Sequence, residues 1–414
     1  MKNKLRAICL FLTLAMPLQL CACAVPTAKA ADLMEGIAAN DAPAAPLSSE
    51  ASAAAADFAV RLFKAANETD KNTLISPLSV LCALSMTANG AEGETLFQME
   101  STLGMRRDLY NEFFKAYLAA LSAGDGKALK LANSVWFKDT PGFTVKQAFL
   151  QTNADNYGAG AFKAPFDDGT RADINSWVSE HTDGMIPEIL DRIPEDVVMY
   201  LVNALAFDAK WLRQYKDSEV IEGTFTCADG TERDADFMHS KETVYVEDER
   251  TTGFLKYYEG GRFAFVALLP KEGVDMDAYL DALTGERLQT LLRGASSETV
   301  NAALPKFETE YDVELSEVLQ SMGMELPFDR RNADFSGINE DPGVYINRVL
   351  HKTFLSVAED GTRAGASTAV EMALKFAMPM EQPKQVFLNR PFVYLLLDCE
   401  TNVPLFIGTM LDPT

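Results

Sequence analysis

Few side chains in this chain could act directly on a substrate. Its 414 residues hold three histidines, His181, His239 and His351. The sequence has no G-x-S-x-G elbow, no H-E-x-x-H pair and no glycine-rich phosphate loop. Ser76 or Ser79 with His351 could pair a nucleophile with a base, but both serines open a predicted helix, where a hydroxyl has a capping role. Glu359–Phe376, reading EDGTRAGASTAVEMALKF, offers a different chemistry. Alternate residues from Thr362 are Thr362, Ala364, Ala366, Thr368, Val370, Met372 and Leu374, small at first and then apolar. The interleaved set, from Arg363 to Lys375, carries the three charges Arg363, Glu371 and Lys375. That alternation is the mark of a half-buried strand. Glycine and alanine are poor strand formers, however. A loop of this length between two strand-like runs also usually carries function. The stretch is suited to be a loop in one state and a strand in another.

Glu359-Asp360-Gly361-Thr362, followed by small residues up to Thr368, resembles the reactive-loop hinge of the serpins. The resemblance implies a bait loop at about residues 359–383 that a protease attacks. The cut loop then enters the main sheet as a new strand, the insertion known for that family as a whole. In inhibitory serpins the attacked residue lies sixteen positions after the hinge glutamate, which falls on Lys375 with Phe376 next. A lysine there suits trypsin-like enzymes, whose specificity pocket is acidic. Counting back from Asn389-Arg390-Pro391-Phe392 leaves the bond open: Leu374 or Phe376 would suit chymotrypsin-like enzymes, and Met378 or Met380 elastase-like ones.

The resemblance assigns further roles. Thr362, Ala364, Ala366 and Thr368 would be the inward hinge positions, small so that the sheet can close over them. Arg363 stands where the family usually has glutamate, and by the alternation it faces solvent. Ser76, Ser79, Asn203 and His351 would form a buried polar cluster, the shutter, beneath the strands that part. Glu359 would pair with Lys306 near Trp211 in the breach at the top of the sheet. On the residues alone, His351 reads as an isolated buried histidine and Trp211 as ordinary core. The implied partner is a serine protease held as a covalent acyl complex with a monomer. No cofactor and no metal is implied. A non-inhibitory surface interaction protein on the same scaffold is the reading from a different class.

These residues need a scaffold, and the pattern of the chain supplies one. Phe58, Leu62 and Phe63 at helical spacing predict a first helix. Ser76-Pro77 is a helix start, with a hydroxyl to cap it and proline at the first position. The run Asn72–Gly90 (NTLISPLSVLCALSMTANG) resembles the serpin signature at the second helix. Helices are predicted over Glu94–Leu103, Leu109–Leu121 and Asp312–Met322, near Val145–Asn153, and over Asp275–Leu292. Ala172–Leu190 resembles the serpin helix that crosses the main sheet. Strands are predicted over Leu129–Lys138, near Ala161–Phe166, in Val198–Trp211, in short runs from Phe225 to Leu269, over Val300–Glu308 and over Ile346–Ala358. Three more are expected between Asn389 and Thr414. Helices dominate the front and strands the back, an α+β pattern. The serpin resemblance covers about residues 53–413. It implies a mixed central sheet, additional sheets, about nine helices and an exposed reactive loop.

Composition narrows the partners. A net charge of −23 argues against nucleic acid, and no predicted helix gathers lysines or arginines for a polyanion. At the N-terminus, Lys2, Lys4 and Arg6 precede the apolar run Ala7–Leu20, too short to span a bilayer comfortably. Leu20-Cys21-Ala22-Cys23 resembles a bacterial lipobox. It implies a signal peptide over residues 1–22, a lipid on Cys23 and a place outside the cell or anchored on a membrane surface. Ordinary secretion with a cut near Ala28–Ala31 is the alternative. Residues 23–52, rich in Ala, Pro and Ser, read as a tether, with the folded domain over 53–414. Of six cysteines, three lie in the signal region. Cys82, Cys227 and Cys399 form an odd, sparse set that predicts free thiols rather than bridges.

Overall fold

A computed structural model describes residues 29–40, 42–123, 128–195, 197–340, 343–362 and 382–413. Eighteen strands and nine α-helices lie among them. The main sheet holds eight strands: β1 (Ala31–Asp32), β3 (Leu129–Lys138), β4 (Gly160–Ala164), β5 (Met199–Phe207), β6 (Ala209–Lys210), β13 (Phe307–Glu314), β14 (Arg348–Val357) and β15 (Gly361–Thr362). Their order is β1-β4-β3-β5-β14-β15-β6, with β13 on the other flank of β14. A six-stranded sheet orders β2 (Thr73–Ile75), β18 (Val403–Met410), β17 (Phe392–Asp398), β11 (Phe263–Pro270), β10 (Thr251–Tyr257) and β9 (Val244–Glu247). A four-stranded sheet orders β16 (Lys384–Phe387), β12 (Val300–Pro305), β8 (Glu232–Glu242) and β7 (Val220–Thr226).

The helices are α1 (Ser49–Ala66), α2 (Pro77–Ala88), α3 (Gly93–Leu103), α4 (Arg107–Ala123), α5 (Gln147–Tyr157), α6 (Asp168–His181), α7 (Met276–Ala282), α8 (Gly285–Arg293) and α9 (Ser316–Ser321). Every residue of α2 is buried, as expected of a helix that is apolar all round. It runs behind the main sheet, where its first turn meets β5 and β14. The six-stranded sheet, with β11, β17 and β18 buried along their whole length, forms the floor of the large core. A second, smaller core packs Ile174 and Val178 of α6 onto Trp136, Tyr200 and Val202 of the main sheet.

Three sequence expectations change. The run Asp275–Leu292 is two helices, because the chain breaks at Leu283 and Thr284 starts α8 by accepting a 3.1 Å hydrogen bond from the Arg287 amide. The run Val300–Glu308 is two strands in different sheets. Pro305 cannot donate to a ladder, so β12 stops there and Phe307 begins β13 in the main sheet. That strand continues to Glu314, so the helix expected from Asp312 starts only at Ser316.

The tether expectation also fails from residue 29 onward. The backbone of β1 pairs with the exposed edge of β4, Ala31 opposite Lys163 and Asp32 opposite Phe162. The Ala30 amide donates to Asp173 on α6 at 2.9 Å, and Asn40 is held by both carboxylate oxygens of Asp155 on α5. Leu33, Met34, Ile37 and Leu47 pack against the core. A linker-like composition therefore hides four apolar anchors and a strand that covers a sheet edge. The body begins well before residue 53: α1 starts at Ser49, capped by Ser48.

Candidate functional site

β14 runs up the main sheet to Val357 and then turns back through Ala358–Asp360. The turn closes with the Ala358 amide donating to the Gly361 carbonyl at 3.0 Å. Gly361 and Thr362 then form β15, which pairs on both sides. Thr362 lies opposite Val357 of β14 and Ala209 of β6, and Gly361 opposite Lys210. A side chain at Gly361 would place its Cβ 2.1 Å from the Ala209 carbonyl oxygen, so only glycine fits between the strands. Gly361 and Thr362, expected from the resemblance to lie in the hinge, are thus already a strand in the main sheet. Lower down, β5 and β14 meet directly at only three pairs, Arg348–Tyr200 to Leu350–Val202. A new strand would have to separate those three pairs.

Segment 209–215 grips the turn. The Trp211 amide donates to the Asp360 carbonyl at 3.0 Å, its indole Nε1–H to the Ala358 carbonyl at 2.8 Å, and the Tyr215 amide to the Glu359 carbonyl at 3.0 Å. Trp211 stacks on Tyr258 with ring centroids 4.4 Å apart. Tyr258 and Thr362 share a 2.6 Å hydroxyl hydrogen bond. Lys306 reaches the Glu359 carboxylate at 2.8 Å. Burial, the largest single influence, pushes the Glu359 carboxyl up, but the hydrogen bond and charge of Lys306 together with a hydrogen bond from its own backbone amide hold it below the usual range. The bond to Glu359 holds the Lys306 ammonium above its usual range. Glu359, Lys306, Trp211, Gly361 and Thr362 therefore meet at one place.

The second cluster lies at the first turn of α2. The Ser76 amide donates to His351 Nε2 at 2.9 Å, which leaves the proton of the neutral ring on Nδ1. Asn203 donates through Nδ2 to the Ser79 carbonyl at 2.6 Å and to Asn133 Oδ1, and Asn133 donates to the Cys82 sulfur at 3.0 Å. His351 on β14 and Asn203 on β5 are thus tied to the same helix end, each from its own side. Burial drives the His351 pKa down to about 4. Ser76 does not cap the helix. Its backbone (φ −110°, ψ 89°) departs from the extended form of a capping residue, its amide is drawn to His351, and its hydroxyl makes no capping bond. The Ser79 hydroxyl instead donates to the Ser76 carbonyl at 3.0 Å.

Sequence reasoning missed Tyr258 and Tyr215, and the place of Cys82 beside Asn133, because these come from contacts across the fold rather than from local spacing. Cys82, Cys227 and Cys399 are free thiols. Ala364, Ala366, Thr368, Lys375 and Phe376 lie outside the described residues. So do the alternative bonds at Leu374, Met378 and Met380, and Cys23.

Residues 53–413 match the family model described as serpin (serine protease inhibitor). A serpin-like protein of Thermococcus kodakarensis is 31% identical over 363 residues, covering 86% of this chain and 84% of its own. The thermophilic serpin tengpin in its native state is 42% identical with a TM-score of 0.87, over 93% of this chain and 100% of its own. Thyroxine-binding globulin in complex with thyroxine is 26% identical with a TM-score of 0.76, over 88% and 99%.

Proposed function

The chain belongs to the serpin family, and from that premise we propose that it is a suicide-substrate inhibitor of serine proteases, with trypsin-like enzymes favoured. The supporting observation is the seated start of the expected hinge: Gly361 and Thr362 already lie between β14 and β6, on the flank of β14 that β5 closes lower down at three pairs. The rest of the loop has a track to follow.

In this reading the protease serine oxygen attacks the carbonyl carbon of Lys375. An ester forms, the peptide bond to Phe376 breaks, and the amine of Phe376 leaves with a proton. Water has not yet entered the reaction. Freed at that end, Thr362 to Lys375 continues β15 downward between β5 and β14. At about 3.3 Å per residue its roughly 14 residues span on the order of 46 Å. The acylated protease is carried that distance and deformed against the body before water can hydrolyse the ester. About a dozen new backbone hydrogen bonds, at roughly 0.5–1.5 kcal/mol net each, and burial of Val370, Met372 and Leu374 drive the step. The uncut fold is then held by a barrier rather than by being the lowest state.

Mixing the protein with trypsin should give a covalent complex that survives SDS, and Lys375→Ala should abolish it. Clean turnover of the loop without a complex rejects inhibition. It leaves the non-inhibitory interaction protein, for which loop cleavage would not change the melting temperature. A complex retained by Lys375→Ala moves the bond to Leu374, Phe376 or Met378.

The same proposal places the protein outside the cell, lipid-anchored through Cys23 and acting as a monomer. The basic residues, short apolar run and Leu20–Cys23 pattern support the anchor. Labelled palmitate should be incorporated, and Cys23→Ser should release the protein from membranes. An unlabelled protein supports simple secretion instead.

A further inference from the structure

The Lys256 side chain, on β10, is 2% exposed. A lysine stem ordinarily carries its ammonium out to water. This one ends in the core, against the segment that grips the hinge. Its Nζ donates to Glu242 Oε1 on β8 at 3.0 Å and to the Arg213 carbonyl at 3.1 Å. It also stands 4.1 Å from the centroid of the Tyr215 ring and 5.3 Å from that of Trp211, both within cation–π reach. Glu242 is fixed in turn by a 2.6 Å hydrogen bond from the Ser240 hydroxyl. One buried cation therefore touches every second residue of the grip, Trp211, Arg213 and Tyr215. On the far side of that segment, the Trp211 and Tyr215 amides hold the Asp360 and Glu359 carbonyls. A methionine would fill the same volume, but it could neither bind the carbonyl nor hold the two ring faces.

We propose that Lys256 is a positioning residue, which braces segment 211–215 from behind and so keeps the hinge seated for insertion. The proposal rests on the inhibitor reading. Once the ester has formed, insertion competes with hydrolysis. A hinge that must first reseat its leading residues inserts later, while hydrolysis keeps its rate. More protease then escapes per complex formed. Attack on the loop comes before that competition, so the association rate is not expected to change.

Two variants test the brace. Lys256→Met removes the cation. Because it leaves the Glu242 carboxylate buried without its partner and could misfold, Lys256→Met combined with Glu242→Gln is made beside it. In both, the number of inhibitor molecules consumed per trypsin trapped should rise by about threefold or more, with the association rate constant within about twofold of wild type. Hydrogen exchange of the Trp211 and Tyr215 amides should quicken by about tenfold, while Phe265 and Leu395 in the core keep their protection. Wild-type stoichiometry and wild-type exchange at these two amides overturn the proposal, even if the melting temperature falls, because Lys256 is then only core filling. A wild-type protein that forms no complex overturns the inhibitor reading instead, and the exchange measurement then decides the brace alone.

Discussion

The hydroxyls of Tyr258 and Thr362 lie 2.6 Å apart, with both residues buried. The bond fixes Thr362, the first inward position of the proposed hinge, against the end of β10, where Trp211 also stacks. A side chain at position 362 must therefore be small and able to share a hydrogen bond. Thr362→Arg would force a guanidinium into this closed space, displacing β15 and blocking the entry of the strand behind it. Trypsin should still cut the variant but leave without forming a stable complex. A normal yield of complex would mean that insertion does not pass through this position.

Cutting the loop should raise the heat resistance of the protein. About a dozen hydrogen bonds at roughly 1 kcal/mol each correspond to a rise in Tm of about 14 °C for a chain of this size. Calorimetry of the intact and trypsin-nicked forms measures it directly. Equal midpoints would mean that no more stable fold is available, and loop insertion would be ruled out as the driving step.

The Lys306–Glu359 ion pair is a weaker tie than its 2.8 Å geometry suggests, because about a third of each side chain is exposed, 34% and 31%. Solvent screening limits such a pair to about 1 kcal/mol or less. Glu359→Gln should lower the denaturation midpoint slightly in low salt and by less at high salt. Exchanging the charges, with Lys306→Glu and Glu359→Lys together, should restore most of the loss. A large loss that salt does not reduce would show that Glu359 acts through packing.

How much of this could be read from the sequence depended on the range of each signal. Of the expected hinge, only Glu359 to Thr362 lie among the described residues: Gly361 and Thr362 were picked out through the serpin resemblance, and the fold supplies the steric reason for glycine at 361. The pairing of Glu359 with Lys306 and the grouping of His351 with Ser76 came through the serpin resemblance, since no local pattern links residues this far apart in the chain. Ser76 was misread as a cap because capping statistics know nothing of a histidine arriving from β14. Residues 29–40 were misread because alanine and proline signal a linker, whereas edge pairing depends on a free strand edge at β4 that only the fold creates. Lys256 gave no warning at all: a lysine on a strand reads as solvent-facing until the opposing sheet closes over it.

His351 should make the polar cluster at the start of α2 sensitive to acid. Its buried ring has a pKa of about 4, lowered by desolvation, against an ordinary histidine value of about 6.5 when the chain unfolds. The folded ring is thus the weaker base, and the unfolded chain takes up the proton first. The stabilisation is fully present above about pH 6.5 and is lost progressively as the pH falls toward 4. The difference corresponds to something on the order of 3 kcal/mol across that window. A charged ring could no longer accept the Ser76 amide proton at Nε2, so protonation also unties β14 from the start of α2. Acid should therefore ease the parting of β5 and β14 as well as lower stability. Denaturant midpoints measured from pH 7.5 down to pH 4 should fall more steeply for wild type than for His351→Asn, whose side chain does not titrate there. Parallel slopes for the two proteins would place the acid sensitivity in the carboxylates and remove His351 from the account.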